Sequence, residues 1–540
     1  GQDNEGNVWR MSFFHAFYFV SFMGSTIGFG EIPYEFTDQQ RFWALFAIYG
    51  TVIAWLYGIG TTLNVLGDPV FKRLMTENSF ARRVKRLSEP FYIICGYGDT
   101  GSLLTRRLAA EGIRVVILDQ NPDTTTELET TEFRQQPYGL IADASRLRSL
   151  RLAGLESPLC QGVIALTDHD QTNLTIAAAV HLINPRIRLI AKAESQEAEL
   201  NIASFGKNIT VNPFRLFAED MQYLIHRRGM YTLLSWLTGI PDERLAEPKF
   251  PQQGAWILCG YDNFGRSIHE KLNEQTTLTV ITPKEEDLIY LENSVKGVGV
   301  RADALEAANI RSACGIIAGT ANDADNLSII LTAREITKTR KNPLYVIARQ
   351  NQRFHSSIFD EAEIDFILQR GDRVARRIFA LLRSPLVSEF LNHACSHNDD
   401  WALRVVSRLA GVLDDAVPHL WEFTLNDCEA KAITKQLNRH RSIKLQDIMR
   451  SPRDRHQTLG CLPLLLIRDT HPYLMPNAEQ RLKPYDRLLF CGNAQAKHAQ
   501  PWLMQDDAVL HYILTGQENN RSYIGRWLSQ YWENRQARKS

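Results

Sequence analysis

The chain has 540 residues, with 61 Lys and Arg balanced by 61 Asp and Glu, and a mean hydropathy of −0.24. That length exceeds what one hydrophobic core supports and implies three or more units. Zero net charge excludes bulk electrostatic binding of nucleic acid, and the hydropathy excludes a membrane protein spanning repeatedly along its whole length. Eight cysteines are scattered without a CxxC, several in strand-like runs such as FYIICG and AWILCG. They read as buried thiols in a reducing compartment. The alternating His393-Ala-Cys395-Ser-His397 is weak as a metal motif and reads as loop.

In chain order, Met11 to Met23 (MSFFHAFYFVSFM) is strongly apolar yet too short to span a bilayer. Such a helix is expected to be re-entrant and shielded by protein, its negative C-terminal end facing the next segment of chain. That segment is Ser25-Thr26-Ile27-Gly28-Phe29-Gly30-Glu31. Alternate glycines tolerate the left-handed backbone that turns successive carbonyls inward. Stacked carbonyls, with a threonine hydroxyl adding one more ring, replace the hydration shell of a monovalent cation. Phe42 to Leu66 then runs without a charge and, at ~1.5 Å per residue, crosses a bilayer core with some tilt. The basic run of Lys72, Arg73, Arg82, Arg83, Lys85 and Arg86 places its C-terminal side in the cytoplasm.

Thr26-Ile27-Gly28-Phe29-Gly30 resembles the potassium-channel selectivity filter, which commonly reads T-V-G-Y-G-D; Glu31 stands where the family has Asp. The resemblance implies a homotetrameric, K+-selective pore in the lipid bilayer of a cell (inner) membrane. Gly50 stands where the family places its inner-helix hinge glycine, with Gly58 and Gly60 as alternative bending points. Only residues 1–25 precede the filter, so the family's outer helix is missing from this sequence. Gly67-Asp68-Pro69 ends the spanning helix. Asp68 reads either as a stop signal or, in a fourfold assembly, as a ring of negative charge at the inner mouth.

From Phe91 the pattern becomes α/β. Phe91 to Cys95 is a buried strand, Gly96-Tyr97-Gly98-Asp99-Thr100-Gly101 a glycine turn opening a helix, and Val115 to Asp119 a second strand ending in an acid. Glycines permit a tight turn against a pyrophosphate, the helix N-terminus stabilises the anion, and Asp119 is placed to accept from ribose hydroxyls while repelling a 2′-phosphate. Gln120, Asp143, Ala144 and Thr167, following that strand or ending the next ones, complete the candidate nucleotide site. Further strands are expected at Gly139–Asp143, Gly162–Thr167, Arg188–Ala191 and Ile209–Val211, then helices at Pro213–His226 and Met230–Leu237. At Ala255 the pattern restarts. Gly260, Asp262 and Gly265 mirror the glycine turn, Val300 to Asp303 mirrors the strand ending at Asp143, and Gly315 to Thr320 mirrors the one ending at Thr167. Asp262 replaces the middle glycine, so nucleotide binding in the second copy is expected to be weak.

Both copies resemble the RCK domain, the nucleotide-fold module that regulates K+ conductance. The fold class is therefore a membrane α-helical K+ channel pore plus α/β, with two tandem Rossmann-like RCK domains and a small α+β C-terminal lobe. The expected boundaries are 1–70 for the pore helix, filter and inner helix, 71–90 for a linker, 91–240 and 241–392 for the RCK domains, and 393–540 for the lobe. Ile524, Trp527, Leu528, Tyr531 and Trp532 form an apolar helical stripe suited to assembly packing. Two copies in each of four chains would complete the family's eight-membered ring. Calcium-gated relatives carry two glutamates after the fifth strand, whereas Lys192 stands in the corresponding run here. Asp168, Asp170 and Glu194 remain the candidate ligands for a divalent cation such as Ca2+, while Lys192 and Arg349 are alternative partners for nucleotide phosphates. The function expected is a channel gated by NAD or by ADP/ATP, with no catalysis; the alternatives are a regulatory subunit of a K+ uptake system and a nicotinamide-dependent oxidoreductase.

Overall fold

Capping residues set the frame of the N-terminal part. The computed structural model describes residues 5–517 except 26, 29, 31–33, 207, 242, 245–247 and 414–415, and side chains except those of Arg353, Arg370 and Arg383. It divides into two units, Gly1–Leu87 and Ser88–Ser540. Thr26, Phe29 and Glu31 of the filter-like stretch, and the stripe from Ile524 to Trp532, lie outside the described residues.

In the first unit, helix α1 (Phe13–Gly24) starts at Ser12, whose hydroxyl accepts from the His15 amide. Helix α2 (Asp38–Gly67) starts at a capping box in which Thr37 and Gln40 bond each other's backbone N–H. Its 30 residues give a length of about 45 Å, and among them none is buried. Phe19, Phe22 and Phe36 join α1 to the segment entering α2 through edge-to-face rings 5.2–5.3 Å apart. Gly28 and Gly30 both have left-handed φ, +65° and +90°, a conformation that glycine adopts without strain. Cβ atoms built at Gly50 and Gly58 would meet nothing within 4 Å, so no packing inside the chain demands glycine there.

The segment expected as a linker is largely helical. Asp68 ends α2 and caps α3 (Pro69–Lys85), its carboxylate accepting from the Val70 amide at 2.7 Å. Pro69 occupies the first helical position, and Arg82, Arg83 and Lys85 sit at the end of the helix dipole where cations are favoured. The acid at 68 thus has a local structural task whether or not it also faces a pore.

Among the described residues the second unit holds three sheets. β1 (Phe91–Cys95), β2 (Arg114–Asp119), β3 (Tyr138–Ile141), β4 (Cys160–Ala165), β5 (Arg188–Lys192) and β6 (Ile209–Val211) are parallel in the order β3-β2-β1-β4-β5-β6. β7 (Trp256–Cys259), β8 (Leu278–Thr282), β9 (Ser294–Lys296), β10 (Gly315–Ala318), β11 (Tyr345–Gln350) and β12 (Phe366–Gln369) repeat it as β12-β11-β10-β7-β8-β9. Near-continuous apolar runs such as FYIIC and WILC suit strands covered on both faces. The expected strand Val300–Asp303 is not one. β9 lies earlier, Gly299 leaves the strand path at φ +81°, and Asp303 falls in the first turn of helix Ala302–Ala307.

The two copies exchange helices. Phe214, Phe217, Met221 and Leu224 on helix Pro213–His226 of the first copy pack into the second sheet's core with Trp256, Leu258, Phe264 and Ile347. Val374, Ala375, Ile378 and Phe379 on helix Arg370–Arg383 of the second copy pack against Ile94, Leu104, Leu108 and Ile164 of the first. The boundary at 240/241 therefore cuts through shared cores. The boundary at 392/393 also moves, because helix Pro385–Cys395 continues across it. Its Phe390, Leu391 and Ala394 pack with Met230, Leu233 and Trp236 from helix Arg228–Thr238. Both helices cover an antiparallel sheet of β13 (His419–Thr424), β14 (Cys461–Arg468), β15 (His471–Leu474) and β16 (Arg487–Gly492), ordered β13-β16-β14-β15. The eight cysteines are free thiols, five of them buried; burial pushes Cys160 up to about 11.

Phe217 is fully buried in the second copy's core although it belongs to the first copy's sequence. Phe217→Ala is expected to destabilise the second unit by about 3–5 kcal/mol, read as a lowered thermal-unfolding midpoint. An unchanged midpoint would contradict the exchange.

Candidate functional site

The first copy's site lies at the carboxyl ends of β1, β2, β3 and β4. The first connection from β1 goes to one side and β4 lies on the other, the switch point where open α/β sheets bind ligands. Gly96 turns the chain at φ +101°. A Cβ there would lie 2.9 Å from the Leu166 carbonyl, and one on Gly101 would lie 2.1 Å from the Gly96 oxygen. Only glycine at 101 lets helix α4 (Asp99–Ala110) start this close to the strand end. Gly98 is its N-cap and offers no side-chain acceptor, leaving the helix's positive end open for an anion.

Asp119 crosses from β2 to that turn, its carboxylate accepting from the Tyr97 and Asn121 amides. Ala142 N donates to Asp119 O at 2.8 Å, bringing Asp143 and Ala144 alongside. Asp143 accepts from the Ser145 hydroxyl and amide, at 2.6 and 2.9 Å, and from Gln120. The Ser145 hydroxyl foremost holds its carboxyl below the ordinary range. Thr167 is held by Asn173, whose side-chain oxygen accepts from its amide and hydroxyl at 3.1 and 2.7 Å. The candidate residues from Gly96 to Thr167 are thus brought together at the ends of these strands. Tyr97 contributes its backbone N–H, while its side chain packs in the core, where burial pushes its phenol up to about 12.

Sequence reading missed Asn173, which also donates to Lys192 O at 3.0 Å and so ties β4's end to β5. The second copy repeats this with Asn326, bonded to Thr320 and to Arg349 O. A shared T-x5-N spacing at 167/173 and 320/326 is the signal that could have found it.

In the second copy, Gly260 (φ +98°) and Gly265 rebuild the turn, a Cβ on Gly265 falling 2.3 Å from the Gly260 oxygen. The helix end is not open. Asp262 accepts from the Phe264 and Gly265 amides at 3.0 and 3.2 Å and pairs with Arg349 at 2.7 Å. Arg349 is buried, its guanidinium 4.9 Å from the Phe264 ring centre and 5.3 Å from that of Phe214. Asp303 does not belong to this site. Ile141 pairs with Asp119 and Lys296 with Thr282, so Val298, not Asp303, occupies the position of Asp143; Asp303 instead pairs with Arg301.

The expected divalent-cation ligands are committed elsewhere. Lys192 places its ammonium 3.0 Å from Asp168 and 3.5 Å from Glu194, filling with a fixed cation the space a metal would need. Asp170 accepts from the Glu194 and Ser195 amides, at 2.9 Å each, and from the Ser195 hydroxyl. Asp323 does the same for Asn351 and Gln352 in the second copy, which marks Asp170 as a loop clamp. Among the described residues no group of three or more His, Cys, Asp or Glu is arranged to hold a metal ion.

The fold and the two glycine turns define a tandem nucleotide-fold protein, and residues 92–213 and 256–370 each match the TrkA-N domain. Over part of its length the chain is similar to two potassium-channel proteins. It is 24% identical over 238 residues to "Probable potassium channel protein 2" of Methanocaldococcus jannaschii, covering 44% of this chain and 68% of that protein. "Potassium channel protein 1" of the same organism is 27% identical over 203 residues, 37% of this chain and 59% of that protein. The structure of the GsuK channel bound to NAD aligns over 92% of this chain and 93% of that one, at 16% identity and a TM-score of 0.46.

Gly101→Ala is expected to cost about 1–3 kcal/mol because the turn must open to admit a methyl group. Gly98→Ala, where φ is −68° and no atom lies within 4 Å of the built Cβ, should fold normally. Thermal unfolding of the two variants side by side checks this.

Proposed function

We propose that the chain is a subunit of a homotetrameric potassium channel in a cell membrane, gated by a nucleotide bound at the first TrkA-N domain. The observation that carries the reading is the uncapped N-terminus of α4 beside Asp119, on a chain that also holds the filter-like stretch and α2. The helix end suits a pyrophosphate and Asp119 suits ribose hydroxyls, so NAD+ or ADP and ATP are the ligand class, as regulators rather than substrates. Left-handed Gly28 and Gly30 suit carbonyls turned toward a K+ path, and the exposed apolar surface of α2 suits lipid and neighbouring subunits. The TrkA-N domains are proposed to lie in the cytoplasm and to form the eight-membered ring. Ligand that binds one ring conformation better than another shifts its population and thereby the pore.

The test is K+ flux through the protein in liposomes, with NAD+, ADP and ATP added singly, beside Asp119→Ala. A K+-selective flux that one nucleotide changes, and that Asp119→Ala leaves about tenfold less sensitive to that nucleotide, is the expected outcome. Selective flux indifferent to every nucleotide would overturn the gating half of the reading, and absence of selective flux the channel half.

A further inference from the structure

The two copies can be superposed residue by residue on their own hydrogen bonds. Ala165 pairs with Ala191 in the first sheet and Ala318 with Ala348 in the second, so Lys192 and Arg349 occupy the same place on β5 and β11. Asn173 and Asn326 confirm the match by donating to the carbonyls of Lys192 and Arg349, at 3.0 and 2.8 Å. Gly98 and Asp262 correspond likewise as the N-caps of α4 and helix Asn263–Leu272. One position therefore carries a cation in both copies, while the facing cap carries a carboxylate in the second copy and nothing in the first.

The second copy shows what that cation is for. Asp262 lies on the helix N-terminus, accepting two backbone N–H bonds, and Arg349 closes on its other oxygen. That is the environment a phosphate oxygen requires: helix amides on one side and a buried cation on the other. The exchanged helices reinforce the contrast. Lys192 pairs with Val211 and Arg349 with Leu368, which makes Phe214 the counterpart of Gly371 three residues on. Phe214 covers Arg349, whereas Gly371 presents no side chain to Asp99 and Thr100.

We propose that the second copy is self-liganded, with Asp262 standing in for the phosphate of a nucleotide, and that Lys192 makes the matching contact to the pyrophosphate bound in the first copy. The inference rests on the nucleotide reading of the first copy and adds its stoichiometry, one nucleotide per chain, and its cation. Without nucleotide, Lys192 is held by Asp168 and Glu194. The Asp168 side chain is 86% exposed and that of Lys192 only 5%. Such a half-solvated pair is a weak competitor for an ammonium offered a phosphate in a drier place. Asp168 is thus the resting partner of Lys192 and a competitor of the ligand.

The test is calorimetric titration of the full chain in detergent with ADP and with NAD+, using wild type, Lys192→Met, Lys192→Arg and Asp168→Ala. Expected are one nucleotide per chain for wild type, about 10- to 100-fold weaker binding for Lys192→Met from the lost charged hydrogen bond, and recovery of most of the loss in Lys192→Arg. Asp168→Ala should bind up to about fivefold tighter. Two nucleotides per chain, or Lys192→Met within threefold of wild type, overturns the inference and leaves the nucleotide reading intact. No binding of either nucleotide by wild type overturns that reading and this inference with it. If Lys192→Met fails to fold by thermal melt, Asp168→Ala decides: tighter binding supports the role of Lys192, and unchanged or weaker binding overturns it.

Discussion

The second unit depends on one constraint: each parallel sheet has a face that its own copy's helices do not close alone. Each Rossmann-like copy leaves apolar surface that is closed by a helix following the other copy's sheet, Phe214 and Phe217 in one direction and Val374 and Ile378 in the other. Burying a side chain of this size is worth about 1.5–3 kcal/mol, so the reciprocal exchange binds the copies into a single cooperative body. Domain boundaries drawn between the repeats lose their meaning for this reason. Helix Arg228–Thr238 extends the arrangement, lying after the first sheet in sequence yet packing with Phe390 and Leu391 in the third core.

Within that body the same electrostatic problem is solved twice in different ways. A parallel strand feeding a helix through a glycine turn leaves amide hydrogens and the positive end of the dipole at the strand's carboxyl edge. In the second copy the chain supplies the anion itself through Asp262 and neutralises it with Arg349. In the first, Gly98 supplies none, and Asp119 accepts from the Tyr97 amide at the edge of the turn and from the Asn121 amide beyond β2. Closely matching backbone geometry at Gly96/Gly101 and Gly260/Gly265 thus goes with opposite side-chain chemistry at the helix caps.

Much of this is legible in the sequence because strands covered on both faces leave continuous apolar runs. Phe91–Cys95 and Ile209–Val211 match the structure to the residue, and the glycine turn with Asp119 comes from spacing alone. The failures have physical causes. Val300–Asp303 reads as strand by analogy with Leu140–Asp143, but a shortened β9 and a left-handed Gly299 shift the register, which no local pattern reveals. Asp168, Asp170 and Glu194 look like hard ligands in one dimension; that Lys192 reaches two of them and two backbone amides claim the third is a tertiary fact. The helix exchange is equally hidden, because an amphipathic stripe says that a face is buried and not whose sheet buries it.

The exchange also ties the first copy's glycine turn to the helix that follows the second sheet. Gly371 packs so closely on α4 that a Cβ there would lie 2.8 Å from Asp99 Cβ and 3.0 Å from the Asp99 carbonyl carbon. Further along, Arg107 on α4 bonds Asp372 at 2.8 Å, and Arg376 holds the same carboxylate at 2.6 Å. Arg107 is itself buried, so the pair cannot part without a desolvated cation left behind. The contact between α4 and helix Arg370–Arg383 therefore extends along both helices. It comprises a steric contact at one end and an ion pair near the other. Helix Arg370–Arg383 continues through Ser384 into Pro385–Cys395 and the third core. The second copy's corresponding helix end is closed by Asp262, so of the two glycine turns only the first leaves its helix amides without a side-chain cap.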